Sequence, residues 1–288
     1  MTLPLAAEAG LGERVIETLH HHLQDSYEID LGGFGHIDLN AAINHPLQRL
    51  LGFDPHVSKH VVMMLLAATV VATAGILAAR LATRASGRGI LGNSVESTFL
   101  FLRDQVVRPN VGEHHARAYL PWFATFFFFI LVCNLIGLCP PPLGATATGN
   151  ISVTAALAVL TFFTVQVAGM MEKGVLGYWT GLVPHGVAWW MWPLVFVIEL
   201  VGLLTKPFAL TVRLFANMTA GHVILGVISV FLLVAQEQGF GMSALVAPPS
   251  LAFYLFILVF EVFVALIQAY IFTTLSSIFV GLALSHEH

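Results

Sequence analysis

Six side chains inside the apolar runs of this chain are of types that can bind, hold or pass an ion: Glu199, Arg213, Asn217, His222, Glu261 and Gln268. Lys206 lies among them. Arg213 sets the problem. It sits in LTKPFALTVRLFANMTAGHVIL (204–225), and 23 residues without a formal charge follow it. A guanidinium keeps its proton at any accessible pH, so it must reach water or face a partner. At the bilayer centre such a cation costs roughly 2.5–3.5 kcal/mol on insertion scales. At 100° per residue, Lys206, Ala209, Arg213, Ala216, Asn217 and Ala220 share one small, polar face suited to close helix packing. The simpler reading puts Arg213 near a helix end, where its long stem snorkels to the surface.

His222 is nine residues from Arg213, which turns it to the opposite side of a helix. Histidine accepts and releases protons near neutral pH. Tyr254, Glu261, Gln268 and Leu275 recur every seven residues, so Glu261 and Gln268 share a face of another helix. A bare carboxylate at membrane depth is tolerated by protonation or pairing, and His222 and Arg213 are its nearest partners in type. A His222–Glu261 pair would form a proton relay. Taken alone, His222 reads as a satisfied polar contact; the company of Asn217, Glu261 and Gln268 favours the relay.

The elements that must hold these residues are membrane helices. The 288 residues are 57% hydrophobic and 10% charged, with mean hydropathy +0.85. Uncharged apolar runs of spanning length recur, and their continuity excludes alternating barrel strands. The first span is expected at about 61–81. Arginines 80, 84, 88, 103, 108 and 117 follow, six of the twelve basic residues, which puts that loop in the cytoplasm and the N-terminus outside. In that loop Val95, Phe99, Leu102 and Val106 form an apolar stripe opposite Glu96, Arg103 and Asp104, expected as an amphipathic helix on the inner membrane surface. Residues 118–171 carry no charge, and CPPPLGATATGN divides them into spans of about 118–138 and 151–171 joined by an outer loop. Trp189, Trp190 and Trp192 resemble an interfacial aromatic belt.

The next apolar segment, about 187–235, would be roughly 70 Å long as a helix. It is either two spans or one broken, tilted helix entering at Pro193 and Pro207. QEQGFGMSALVAPP is expected as a loop, with the last helix running from Pro249 to about 285.

Residues 1–60 hold eight acids against Arg14, Arg49 and Lys59, and His20–His22 in a row. Three adjacent histidines cannot all converge on one ion from a helix, so a solvated segment is expected rather than a metal site. No positively charged stretch followed by an apolar core appears there, so a cleaved signal peptide is not expected. Residues 61–288 read as one membrane domain. Cys133 and Cys139 flank the end of a span, either as a disulfide on the outer side or as plain apolar fillers.

No HExxH, phosphate-binding glycine loop or serine-nucleophile motif occurs, so the chain is not expected to be an enzyme by itself, and no cofactor, metal or nucleic acid is implied. A secondary transporter is the rival reading, but the two related halves common in transporters are not visible. A lone buried arginine without an adequate internal counter-ion implies a partner acid.

The run LLTKPFALTVRLFANMTAGH, with FEVFVALIQAYIF in the last helix, resembles the two signatures of subunit a from the membrane sector of F-type ATP synthases. Weaker similarity runs upstream through GNISVT and Asn134. In some relatives the His222 position holds an acid and the Glu261 position a histidine, so the pair here is exchanged but intact. Acids found in the outer loop and second span of some relatives are neutral here, near Asn134 and Asn150. The resemblance implies an all-α protein of five spans whose long segment is a single strongly tilted helix, forming a hairpin with the last. It implies proton translocation through two half-channels against a ring of c subunits, each with one mid-membrane carboxylate, within the whole complex and beside the b subunits of the peripheral stalk. Arg213 would hold a ring carboxylate deprotonated. Asn217, His222, Glu261 and Gln268 would line the outer half-channel and Glu199 the inner one. The implied location is a bacterial plasma (inner) membrane, with the C-terminus cytoplasmic.

Overall fold

A computed structural model describes residues 27–30, 36–51, 57–82, 90–139, 146–183 and 186–285. The triple histidine at 20–22, Arg84, Arg88 and residues 140–145 of the expected outer loop lie outside the described residues. A short hairpin pairs β1 (Glu28–Asp30) with β2 (His36–Asp38), Ile29 opposite Ile37. The remaining elements are helical: α1 (His45–Leu51), α2 (Lys59–Ala82), α3 (Ile90–Phe101), α4 (Arg108–Val111), α5 (Glu113–Gly137), α6 (Ile151–Lys173), α7 (Val175–Thr180), α8 (Trp192–Glu237) and α9 (Phe240–Leu284). A π-helical stretch, Leu102–Val107, joins α3 to α4.

Five helices are long and apolar enough to cross a membrane, namely α2, α5, α6, α8 and α9. The chain is thus an all-α membrane protein. The long apolar segment is one helix. Pro193 falls in its first turn, where the missing N–H has no partner to lose. Pro207 lies inside it without ending it. At 46 residues, α8 is about 69 Å long, over twice a hydrocarbon core, so it cannot stand upright within one.

The expected loop at 236–249 is mostly helix, which corrects the start of the last span. The chain reverses at Gln238 and Gly239 alone, with Gly239 at φ 101°, a conformation glycine adopts at no steric cost. α9 then begins at Phe240 with Pro248 and Pro249 inside it. The two prolines remove donors for the carbonyls of Ala244 and Leu245, but the apolar chain on both sides keeps its helix. The second span likewise starts five residues early, at Glu113, whose carboxylate suits a helix N-terminus.

The contacts divide into two units. One comprises residues 1–67, 132–150 and 215–266; the other comprises 68–131, 151–214 and 267–288. The second holds the larger apolar core. Leu102 and Val106 are fully buried there among Phe127, Ile130, Leu214 and Phe272, with Phe99 packed against them. Of the apolar stripe in the 82–117 connection, Leu102 and Val106 are thus covered by protein, while Val95 and Phe99 are half-buried. Its polar side carries Arg103 on Asp104 at 2.8 Å, Arg108 on Asp104 at 3.1 Å, and an Arg108–Glu113 pair. The Arg103 hydrogen bonds hold the Asp104 carboxyl below its ordinary value. Their small surface contribution is present at neutral pH and lost as pH falls through that lowered value.

Gly281 fixes the closest approach in this unit. A Cβ there would overlap the Asn110 carbonyl, and the Asn110 amide donates to Ser277 Oγ at 2.9 Å one turn earlier. Backbone cannot step aside as a side chain does. Gly281→Leu is expected to cost at least about 1–3 kcal/mol. It should read as a lower melting temperature of the detergent-solubilised protein, and an unchanged melting temperature would contradict the packing.

Candidate functional site

Arg213 lies on α8 with its side chain exposed, and among the described residues it makes no ion pair or hydrogen bond. Ala209, Ala216 and Ala220 on the same face are exposed as well, so this stripe is small, open and charged at one point. Glu199, further towards the start of α8, is also exposed. Lys206 differs: its ammonium stands 5.4 Å from the centroid of the Phe279 ring, a cation–π contact that gives it a partner. Gln268 is 4% exposed, on the face of α9 that its register with Glu261 required.

The other unit gathers polar groups from four parts of the chain. His222 Nδ1 donates to the Met218 carbonyl at 2.9 Å, one turn back on α8. Its Nε2 lies 2.7 Å from Thr146 Oγ1 and 3.1 Å from the Gly137 carbonyl at the end of α5. His60 Nδ1 donates to the Thr146 carbonyl at 3.1 Å. Thr148 donates to Asn134 Oδ1 at 2.6 Å, leaving the buried Asn134 Nδ2 without a protein partner. Asn217 is half-buried.

Glu261 is 5% exposed and packs on Gly221, where any Cβ would overlap its carboxyl group. Its Oε2 has no hydrogen-bond partner. Glu261 thus stands against the residue next to His222, yet no hydrogen bond or ion pair joins the two. His222 is engaged by Thr146, Gly137 and Met218 instead. A buried carboxyl oxygen left without a partner is costly, and its standing requirement is a proton or a cation.

Three of these residues carried no mark in the sequence as read. Thr146 and Gly137 sit in or beside the turn-forming stretch after the second span, and His60 opens the first. Their one shared sign is a hydroxyl, a glycine and a histidine at the ends of spans on one side of the expected topology. Cys133 is buried and Cys139 exposed, and both are free thiols, so the disulfide alternative falls.

Five apolar helices, an unpaired exposed arginine, and a half-buried histidine and a buried carboxyl on neighbouring helices are the features of an ion-translocating membrane protein. The sequence matches the family described as ATP synthase A chain over residues 61–281. Among similar proteins, ATP synthase subunit a 2 of Chlorobaculum tepidum is 40% identical over 291 residues, covering 98% of this chain and 78% of that protein. ATP synthase subunit a of Chloroherpeton thalassium is 42% identical over 275 residues, covering 93% and 76%. Its counterpart in Myxococcus xanthus is 46% identical over 238 residues, covering 82% and 76%. The chain belongs to the ATP synthase A chain family, the membrane-sector subunit a of F-type ATP synthases. That subunit translocates protons and carries no ATP chemistry itself. A stand-alone transporter is not favoured.

Proposed function

We propose that the chain passes protons through two offset half-channels against a rotating ring of c subunits, coupling the transmembrane gradient to ATP synthesis. Arg213 faces the ring carboxylates. Asn217, His222, Glu261 and Gln268 line the outer half-channel and Glu199 the inner one. The observation that carries this reading is the exposed, unpaired Arg213 within a stripe of small residues on an apolar helix. Such a surface requires an acidic partner that can approach closely, and a ring of helices with one carboxylate each supplies it. The test is ATP-driven acidification of inverted vesicles carrying the assembled complex, with Arg213→Ala as the diagnostic variant. Acidification by that variant would overturn the reading.

The b subunits of the peripheral stalk belong to the same proposal, as does a bacterial plasma membrane location with the N-terminus outside and the C-terminus cytoplasmic. Residues 1–60 form the outer segment and 61–288 the membrane domain. An odd number of spans supports opposite sides for the two ends, and the arginines between α2 and α5 support an inner face for that connection. Single cysteines placed at 20 and 286 in a background without Cys133 and Cys139 check it. In intact cells an impermeant maleimide is expected to label position 20 only. Labelling at both positions would break the five-span topology.

A further inference from the structure

We propose that Thr146 is the hydroxyl relay through which His222 is protonated from the side of the 139–150 connection, with His60 as its positioning residue. The proposal rests on the proton-conducting reading above and names one step of its outer route.

The donor and acceptor inventory around His222 carries the argument. The carbonyls of Met218 and Gly137 can only accept. With one proton on the ring, Nδ1–H is committed to Met218 at 2.9 Å, and the lone pair of Nε2 takes the Thr146 hydroxyl proton at 2.7 Å. With two protons, Nε2–H finds the Gly137 carbonyl at 3.1 Å, or the Thr146 oxygen, already in place. Both protonation states are therefore hydrogen-bonded without moving the ring. A side chain with a purely structural role needs an acceptor or a donor opposite Nε2, not both.

Thr146 is held for this task from two directions. It is 4% exposed, and its carbonyl accepts from His60, itself 3% exposed, which fixes the backbone from which the hydroxyl projects. On the other side Gly137 clears the space, because a Cβ there would overlap the Thr146 hydroxyl and Cβ. A carbonyl cannot pass a proton on, so His60 positions and does not relay; the hydroxyl does. In the step, Oγ1 takes a proton from a hydronium ion on the connection side while its own proton moves to His222 Nε2. Two O–H bonds break, one on the hydronium and the old one on Oγ1, and a new Oγ1–H bond and an Nε2–H bond form. The threonine ends unchanged, the hydronium leaves as water, and its positive charge passes to the imidazole. Among the described residues, the titratable groups facing His222 are Glu261 on α9, against Gly221, and His60 at the start of α2, through Thr146.

The test is made on the whole complex in inverted vesicles and in proton-driven synthesis. Wild-type pumping first checks the parent reading: if the wild type fails to pump, that reading fails, whatever Thr146 does. Given a pumping wild type, Thr146→Val is expected to slow both directions at least about tenfold while Thr146→Ser restores most of the rate, since proton transfer by a positioned group contributes at least that much. Synthesis by the valine variant should also recover when the outer pH is lowered, more than in the wild type, because delivery has become limiting. His60→Leu should show the same pH signature more weakly, and His60→Gln, which can still donate, should partly rescue it. If the valine complex does not assemble, Thr146→Ala, which removes the hydroxyl without new bulk, takes its place. A valine or alanine complex that pumps at the wild-type rate, or whose pH profile runs parallel to the wild type, would overturn the relay.

Discussion

Complexes carrying Arg213→Ala are expected to assemble, yet neither to make ATP from a proton gradient nor to acidify inverted vesicles when ATP is added. The reason lies in the charge states allowed to a carboxyl group on a ring that turns through lipid. Facing hydrocarbon it must be neutral, since an isolated carboxylate there is prohibitively costly. Opposite a permanent cation its ionised form is favoured, because an opposite charge within about 4–6 Å lowers a carboxyl pKa by 1–3 units. Arg213 is exposed on α8, unpaired among the described residues and free of bulky neighbours at Ala209, Ala216 and Ala220, so it can present its charge to such a group. On the proposed mechanism, removing it would abolish the forced release of a proton on one side and uptake on the other. It would also remove the field that repels protons from crossing directly, so the same vesicles should show a passive leak. Arg213→Lys keeps a charge but loses the planar fork, and a buried amine can shed its proton; it is expected to retain only a small fraction of the rate. Among the described residues Arg213 makes no ion pair or hydrogen bond, so its loss is expected to leave folding intact. A merely snorkelling arginine would give a mild loss and no leak.

What the sequence disclosed and what it hid follow from how far each signal reaches. Arg213, His222, Glu261 and Gln268 stood out because charge and hydrogen-bonding groups are expensive in apolar runs, so each has to be explained. The helices were legible for the same reason. Boundaries were not: Pro248 and Pro249 look like the start of a helix, but the chain turns at Gln238 and Gly239, and α9 begins at Phe240, eight residues before Pro248. The stripe from Val95 to Val106 has the periodicity of a buried face, but periodicity does not say whether lipid or protein covers it. Thr146 and His60 were invisible because their meaning is entirely tertiary. Thr146 meets His222 across 76 residues and His60 across 86, and neither a hydroxyl nor a single histidine has a period to betray it.

Exchanging the pair, His222→Glu with Glu261→His, is expected to recover more ATP-driven pumping than the worse of the two single changes. Each single change leaves one kind of group at both positions. His222→Glu places two acids on neighbouring helices, and Glu261→His places two imidazoles; both resist holding a second like charge. Each is expected to slow pumping by about a hundredfold to a thousandfold, within the range that one positioned proton-transfer group contributes. The exchange restores one acid and one base, and Gly221 leaves room for a side chain of either kind at 261 without a Cβ of its own in the way. Recovery should be incomplete, and the geometry says why. At 222 the surrounding acceptors are the Met218 and Gly137 carbonyls, which an ionised glutamate cannot serve. A glutamate there fits best while protonated, so the exchanged complex should recover most at low outer pH and fall behind the wild type as the pH rises. The interaction energy from the four complexes reads the pairing directly, since it vanishes for independent sites. An additive double variant would mean that His222 and Glu261 serve the proton separately, His222 through Thr146 and Glu261 by another path.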